Sequence, residues 1–166
     1  KHPVHNCYSW LTHQAYSPPI APHLEPKILL SPFDDGIRFQ EYQSRWDTLS
    51  PFEKCLFYWM EVHAFAIDLR SRCEVPWLTL KSEDLFQSDG LEQLLSFLGL
   101  PLRKTAQNLR VQVVDRQRFL TAEPTDWKTI ENHPDTIRIA KQLGYEMDEI
   151  DEASINARYH GGYSFS

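Results

Sequence analysis

Residues 50–72 read SPFEKCLFYWMEVHAFAIDLRSR and contain the clearest helix signal of this 166-residue chain. Ser50 and Glu53 have the spacing of a capping box, in which each side chain bonds the backbone N–H of the other residue, and Pro51 suits a first helical position. Behind them, the apolar residues recur at helical spacing as a single stripe: Phe52, Cys55, Leu56, Trp59, Val62, Ala66 and Leu69. The sequence therefore predicts a helix that starts at Pro51, ends near Arg72 and buries this stripe.

Further helices are predicted on both sides of this one. Apolar residues at helical spacing indicate a helix from about Val4 to Ala15, and a short helix is expected from Ile37 to Leu49. A helix that begins at Gly90 and stops at Gly99 has an expected buried face of four leucines: Leu91, Leu94, Leu95 and Leu98. The last helix is expected to follow His133-Pro134 and to end at Gly144.

The strand signals are fewer than the helix signals. Val75–Leu80 reads as a short buried strand, and residues 111–114 are a second candidate. A lone strand is not stable, because it needs neighbours to bond its backbone. Residues 17–36 contain five prolines and are interpreted as a loop. We expect one domain over residues 1–166, helix-rich with one or two strands, and an irregular, disordered tail over residues 158–166.

The composition disfavours several classes of protein. The net charge is −6, and the chain lacks the basic stripe of a nucleic-acid-binding protein. No apolar run approaches the roughly 18 residues of a membrane span, so no membrane segment is expected. The three cysteines are odd in number and lack metal-site spacing, and Cys7 and Cys55 fall on apolar helical positions. Buried thiols of this kind favour a reducing compartment, and we expect a cytoplasmic protein.

The first nine residues, KHPVHNCYS, have the features of an anion site. A phosphate is stabilised by a cation, by a hydroxyl or amide donor and by the positive end of a helix dipole. Lys1 supplies the cation, and Ser9 supplies a hydroxyl about 8 Å along the helix from Val4. No Asp or Glu occurs before Glu25, which also suits an anion. Taken alone, the pattern favours an ordinary helix start with Ser9 facing solvent, and a phosphate site formed by Lys1 and Ser9 is the alternative.

The order of these elements resembles the C-terminal portion of the PAPS-dependent sulfotransferases of the P-loop type. In that family a basic residue, a proline and a later serine grip the donor's 3′-phosphate. The later elements of the family are also found here in order: Glu53-Lys54 and Tyr58-Trp59 on one helix, Glu83-Asp84-Leu85 after a strand, and Phe97-Leu98-Gly99-Leu100-Pro101 at a helix end. The resemblance covers residues 1 to about 101, and residues 102–166 match only loosely.

The resemblance implies an α/β fold with three layers, of which this chain is a helix-rich C-terminal portion. The strand, Gly-rich phosphate loop and helix of the family are absent here and would precede Lys1, which implies association with a missing N-terminal portion. The implied reaction moves a sulfuryl group from PAPS to a hydroxyl or amine of a small-molecule, carbohydrate or peptide acceptor. Lys1 and Ser9 would anchor the 3′-phosphate of PAPS or PAP.

Two departures from the family pattern concern its functional residues. Lys1 stands where the family usually has Arg, and Lys binds a phosphate as a point charge without the bidentate fork of Arg. Ser82 stands where the family commonly has Tyr. The family's catalytic base lies upstream of the phosphate-binding helix, so the resemblance assigns no catalytic residue in this chain.

Two other functions remain open from the sequence. The chain could be a non-catalytic helical interaction module that lacks the phosphate loop and binds a partner through its aromatic helices and its proline-rich loop. It could also be a metal-binding helical domain that uses some of His2, His5, Cys7, His13 and His23. Structural zinc sites usually show closer paired spacing, so surface or helix-capping histidines are favoured. Glu83 and Asp84 could act as an acid–base pair, although helix capping is favoured for them as well.

Overall fold

A computed structural model of the chain describes residues 1–17, 29–87, 89–101, 125–156 and 159. The described residues form six α-helices: α1 (Pro3–Leu11), α2 (Pro51–Arg72), α3 (Ser82–Gln87), α4 (Gly90–Phe97), α5 (Pro134–Gln142) and α6 (Glu152–Ile155). They also form three 3-10 helices, which are Gln40–Thr48, Trp127–Asn132 and Met147–Glu149.

The predicted α/β fold class is wrong, because the described residues contain helices and no β-strand. The predicted strand Val75–Leu80 is irregular backbone, and Val75 is 64% exposed. A β-branched, apolar run becomes a strand only when a neighbouring strand bonds its N–H and C=O groups. The second candidate strand, residues 111–114, lies outside the described residues. Within the described ranges the chain is all-helical, and the three-layer architecture is not supported.

The chain divides into two compact units. The larger unit comprises His2–Leu69 and Arg118–Ser166, and the smaller comprises Lys1 and Arg70–Gln117. The single domain expected over residues 1–166 stays a prediction. Of the predicted tail, residues 158–166, only Tyr159 is among the described residues, and it is buried against the ring of Tyr8.

The described residues of the larger unit form two clusters of buried residues. One lies around α1 and the start of α2 and consists of Val4, Cys7, Tyr8, Leu11, Ala15, Leu29, Phe52, Cys55, Leu56, Ile130, Ile155 and Tyr159. The other lies around the middle of α2 and consists of Ile37, Tyr42, Leu49, Phe57, Trp59, Met60, Ile139, Ala140 and Tyr145. Together they bury α2 on several sides rather than along a single stripe.

The predicted capping box at the start of α2 is confirmed. The Ser50 N–H donates to Glu53 Oε2 at 2.9 Å, and the Glu53 N–H donates to Ser50 Oγ at 3.3 Å. The helix ends at Arg72, as predicted. The predicted buried stripe is only partly correct, because Val62 is 38% exposed.

The helix boundaries follow local signals with two exceptions. Gly99 and Gly144 have positive φ angles of 67° and 79°, and each ends its helix as predicted. Next to Gly144, the Tyr145 N–H bonds the Ala140 carbonyl at 2.9 Å, which completes a Schellman motif. One exception is the helix expected from Ile37 to Leu49, which is a 3-10 helix over Gln40–Thr48. The other is α1, which ends at Leu11 rather than Ala15.

The early end of α1 is caused by left-handed backbone that sequence periodicity does not reveal. Gln14 and Tyr16 have φ angles of 59° and 58°, which a helix cannot contain. Ala15 is nevertheless fully buried, so its apolar spacing is explained by packing in the core and not by helix.

In the smaller unit, α3 and α4 approach closely. A Cβ atom on Gly90 would lie 2.6 Å from the Asp84 carbonyl oxygen, so only glycine fits at the start of α4. The leucine face expected to be buried on α4 is not buried in the structure. Leu98 is 55% exposed, and the other three leucines are half-buried.

Candidate functional site

The start of α1 is arranged as the sequence predicts. Pro3 is the first helical residue, and His2 caps the helix because its Nδ1 accepts the Val4 N–H at 3.2 Å. The Asn6 N–H bonds the His2 carbonyl at 2.9 Å. The favoured interpretation of His2 as a capping residue is therefore confirmed.

Ser9 lies on α1, two residues before its end, and is half-buried. Its carbonyl accepts the Thr12 hydroxyl at 2.7 Å, which fixes the last turn of the helix. The helical rise places Ser9 about 9 Å along the axis from Pro3. Ser9 therefore stands on the helix that the phosphate motif requires.

Lys1 belongs to the smaller unit and Ser9 to the larger unit. The pairing of these two residues in one phosphate site accordingly stays a prediction.

Glu83 and Asp84 lie in the first turn of α3, where carboxylates are stabilised by the helix dipole. The Ser82 hydroxyl donates to Glu83 Oε2 at 3.0 Å. Their position supports the favoured capping role over an acid–base pair.

A chain of buried polar groups, which sequence reasoning missed, connects three elements of the larger unit. We call it the histidine relay, and it consists of Tyr42, His133, Glu53 and Ser50. The Tyr42 hydroxyl lies 2.9 Å from His133 Nδ1, and His133 Nε2 lies 3.3 Å from Glu53 Oε1. Ser50 Oγ donates to Glu53 Oε2 at 2.8 Å. The relay joins the 3-10 helix Gln40–Thr48 to the starts of α2 and α5.

The pKa values of the relay favour an ionised Glu53 beside a neutral His133. Burial alone would raise the pKa of Glu53, but bonds from Ser50 and His133 outweigh it and lower the pKa. Burial lowers the pKa of His133, which is fully buried, and the bond to Glu53 only partly opposes this. A carboxylate only accepts hydrogen bonds, so His133 Nε2 carries the proton and Nδ1 accepts from Tyr42. Because the His133 side chain has no exposed surface, the relay indicates a structural role.

A second buried carboxylate was also missed by sequence reasoning. Glu61 is 3% exposed, and its Oε1 accepts the Arg38 N–H at 3.0 Å while Oε2 accepts the Phe39 N–H at 3.4 Å. The Arg38 guanidinium adds a 2.8 Å bond to Asp68. Glu61 thus satisfies backbone donors at the entry to the 3-10 helix. Its position within an apolar helix gives no signal of this role in the sequence.

The metal hypothesis finds no support in the described residues, where no group of three or more His, Cys, Asp or Glu side chains could hold an ion. His23 lies outside those residues. Cys7 and Cys55 are buried free thiols, as predicted, and burial raises the pKa of both. Across the same described ranges, no helix is both long enough and apolar enough to cross a bilayer.

Comparison of the chain with known protein families, characterised proteins and solved structures finds no match. The functional interpretation therefore depends on the residues and on the resemblance in motif order.

Proposed function

We propose that this chain is the 3′-phosphate-binding part of a sulfotransferase-like protein. The protein transfers a sulfuryl group from PAPS to a hydroxyl or amine of a small-molecule, carbohydrate or peptide acceptor. The observation that carries the proposal is α1 itself. A helix begins at Pro3, two residues after Lys1, and contains Ser9 at the spacing of the phosphate motif.

Each group has a definite task in the proposed site. The Lys1 ammonium neutralises part of the phosphate charge, and the Ser9 hydroxyl donates one hydrogen bond to a phosphate oxygen. α1 has no acidic residue in its first turn, so no carboxylate there repels an anion. In sulfuryl transfer itself, in-line positioning and stabilisation of the bridging oxygen supply the catalysis, and the proposal assigns no residue of this chain to that step.

A calorimetric titration with two matched nucleotides tests the proposal. Adenosine 3′,5′-bisphosphate carries the 3′-phosphate, and adenosine 5′-monophosphate differs from it by that group alone. A Gly-Ser pair placed before Lys1 moves the α-amino group away from the site, so that the Lys1 side chain is the cation tested. We expect the bisphosphate to bind at least about tenfold more tightly, as a charge-assisted hydrogen bond contributes ~1.5–3 kcal/mol.

Single substitutions identify the residues that make the bisphosphate bind more tightly than the monophosphate. Lys1→Ala should remove most of it, Ser9→Ala should weaken bisphosphate binding about fivefold, and Lys1→Arg should retain it. Lys141→Ala and Ser96→Ala make the same chemical changes at exposed positions on α5 and α4 and should have no effect. Equal affinity for the two nucleotides, or equal effects of site and control variants, would contradict the proposal.

A second candidate, the non-catalytic interaction module, is favoured by the exposed end of α4. Phe97, Leu98 and Leu100 are 44%, 55% and 53% exposed, which is unusual for adjacent large apolar residues. If the chain does not distinguish the two nucleotides, this candidate remains. It then predicts concentration-dependent association in sedimentation experiments that Leu98→Asp abolishes and that Glu92→Gln on the same helix leaves unchanged.

A further inference from the structure

A cleft of about 220 Å³ lies between α1, the start of the 3-10 helix Trp127–Asn132 and α6. Its lining is aromatic and polar, and consists of Tyr8, Thr125, Asp126, Trp127, Lys128, Glu152, Ile155 and Asn156. All of these residues belong to the larger unit. By volume the cleft would hold about seven water molecules, which is enough for a small organic group.

The walls of the cleft are fixed by hydrogen bonds. The Tyr8 hydroxyl donates to the Thr125 carbonyl at 2.6 Å, and Trp127 Nε1 donates to Glu152 Oε1 at 3.3 Å. Asp126 caps the 3-10 helix by accepting the Lys128 N–H at 3.0 Å. The indole ring of Trp127 is therefore held beside a carboxylate.

The position of the Lys128 ammonium indicates the kind of ligand that this cleft would bind. Its ammonium lies 3.7 Å from Glu152 Oε1 and 6.0 Å from the centre of the Trp127 ring. An aromatic ring beside a carboxylate is the combination that binds organic ammonium ions. The side chains of Lys128 and Glu152 are 60% and 61% exposed, so their ion pair contributes little and exchanges readily with solvent.

Charge around the cleft also favours a cation. Asp126 and Glu152 give the lining two carboxylates against the single ammonium of Lys128. Glu152 belongs to an acidic stretch, residues 146–152, that contains five carboxylates. The phosphate motif makes no use of this stretch, whose negative potential raises the local concentration of cations.

We propose that this cleft is a binding site for a small organic ammonium ion, which displaces Lys128 from Glu152 and Trp127. The bound cation faces the Trp127 ring and pairs with the carboxylates of Glu152 and Asp126. The site is independent of 3′-phosphate binding, because it uses neither Lys1 nor Ser9.

The test is an NMR titration with choline and its neutral isostere 3,3-dimethyl-1-butanol. The reporter is the indole N–H resonance of Trp127, which is assigned by its loss in Trp127→Phe. Choline should shift this resonance saturably, and the neutral isostere should not, because only the ammonium gains cation–π and carboxylate attraction.

Three variants distinguish the site from non-specific attraction to an acidic surface. Lys128→Met removes the competing ammonium but keeps an apolar stem, so choline should bind roughly two- to fivefold more tightly. Glu152→Gln should weaken binding by a similar factor. Glu149→Gln removes the same charge from the same acidic stretch but does not line the cleft, and should have no effect.

The proposal survives if Lys128→Met shows saturable choline binding that Glu152→Gln weakens more than Glu149→Gln does. It is overturned if neither the natural chain nor Lys128→Met binds choline. It is likewise overturned if the neutral isostere shifts the resonance equally, or if Glu149→Gln weakens binding as much as Glu152→Gln.

Discussion

The two halves of α2 both contain apolar residues at helical spacing, but their surroundings differ. In residues 52–61, seven of the ten side chains are buried, while in residues 62–69 none is. Phe57 is fully buried, and Phe65, two turns later, is 49% exposed with the Arg38 guanidinium 5.1 Å from its ring. The comparison teaches that apolar periodicity identifies a helix, but the elements packed around it decide how far its apolar residues are buried.

The difference between the halves also concerns their carboxylates. Glu61, at the end of the buried half, accepts two backbone N–H groups and is almost fully enclosed. Asp68, in the exposed half, pairs with the same arginine near solvent, and its side chain is 41% exposed. Glu61 thus bonds backbone groups inside the fold, and Asp68 pairs with an arginine at the surface.

The largest expected effect is the contrast between two phenylalanines. Phe57→Ala should lower the free energy of unfolding by ~3–5 kcal/mol, because it leaves a cavity in a close-packed cluster. Phe65→Ala should cost no more than about 1 kcal/mol, because it removes exposed surface and one cation–π contact. Urea unfolding of both variants measures the difference. Equal losses would show that the second half of α2 is covered in solution.

Substitution of the two carboxylates should give a smaller difference in the free energy of unfolding, again with the larger loss in the buried half of α2. Glu61→Ala leaves the N–H groups of Arg38 and Phe39 without their acceptor, which should cost ~1–3 kcal/mol. Asp68→Ala breaks an exposed pair and should cost no more than about 1 kcal/mol. Urea unfolding of both variants measures these losses. An equal loss of unfolding free energy in Asp68→Ala and Glu61→Ala would contradict the prediction that only Glu61 has a structural role inside the fold.

The smallest expected effect is pH dependence from the histidine relay. The pKa of His133 is lowered from its ordinary value of 6.5 by burial, so the unfolded chain takes up a proton before the folded chain does. The contribution of His133 to the free energy of unfolding is complete above pH 6.5. It is lost as pH falls towards the pKa of the folded state, and the free energy of unfolding changes by at most about 1.4 kcal/mol per pH unit. The pKa of Glu53 is also lowered, so its contribution to the free energy of unfolding is likewise lost as pH falls below the ordinary pKa of 4.5.

Unfolding experiments between pH 7 and pH 5 check this expectation. His133→Gln should flatten the slope in that window. His63, whose pKa burial also lowers, contributes in the same direction, so His63→Gln is the matched comparison. A slope that persists in His133→Gln and disappears in His63→Gln would assign the effect to the wrong residue and contradict the prediction.

The parts of the fold that the sequence predicted are those controlled by neighbouring residues. The capping box at Ser50, the proline at the start of α1 and the glycine at the end of α5 each act within a few positions of the chain. Such signals are local, and the structure confirms the helix starts and stops that depend on them. For the proposed site, the sequence supplied Lys1 and Ser9, and the structure confirms only that Ser9 lies on the expected helix.

The predictions that failed concern contacts between distant residues. The apolar run Val75–Leu80 suited a strand, but the described residues supply no partner strand to bond it. The leucine face of α4 suited burial, yet Leu98 remains exposed. Neither outcome is encoded in a short window, because strand pairing and burial depend on what lies next to the segment in space.

The sequence by itself determined the helix starts and stops that depend on capping residues, prolines and glycines, because these signals act over a few residues. Only the tertiary structure decided that most side chains are buried in the first half of α2 and that those of residues 62–69 are half-buried or exposed. Only the tertiary structure brought His133 to Glu53, 80 positions away, and to Tyr42, 91 positions away. A polar group can be buried where distant partners satisfy it, and the positions of those partners depend on the packing of the whole unit.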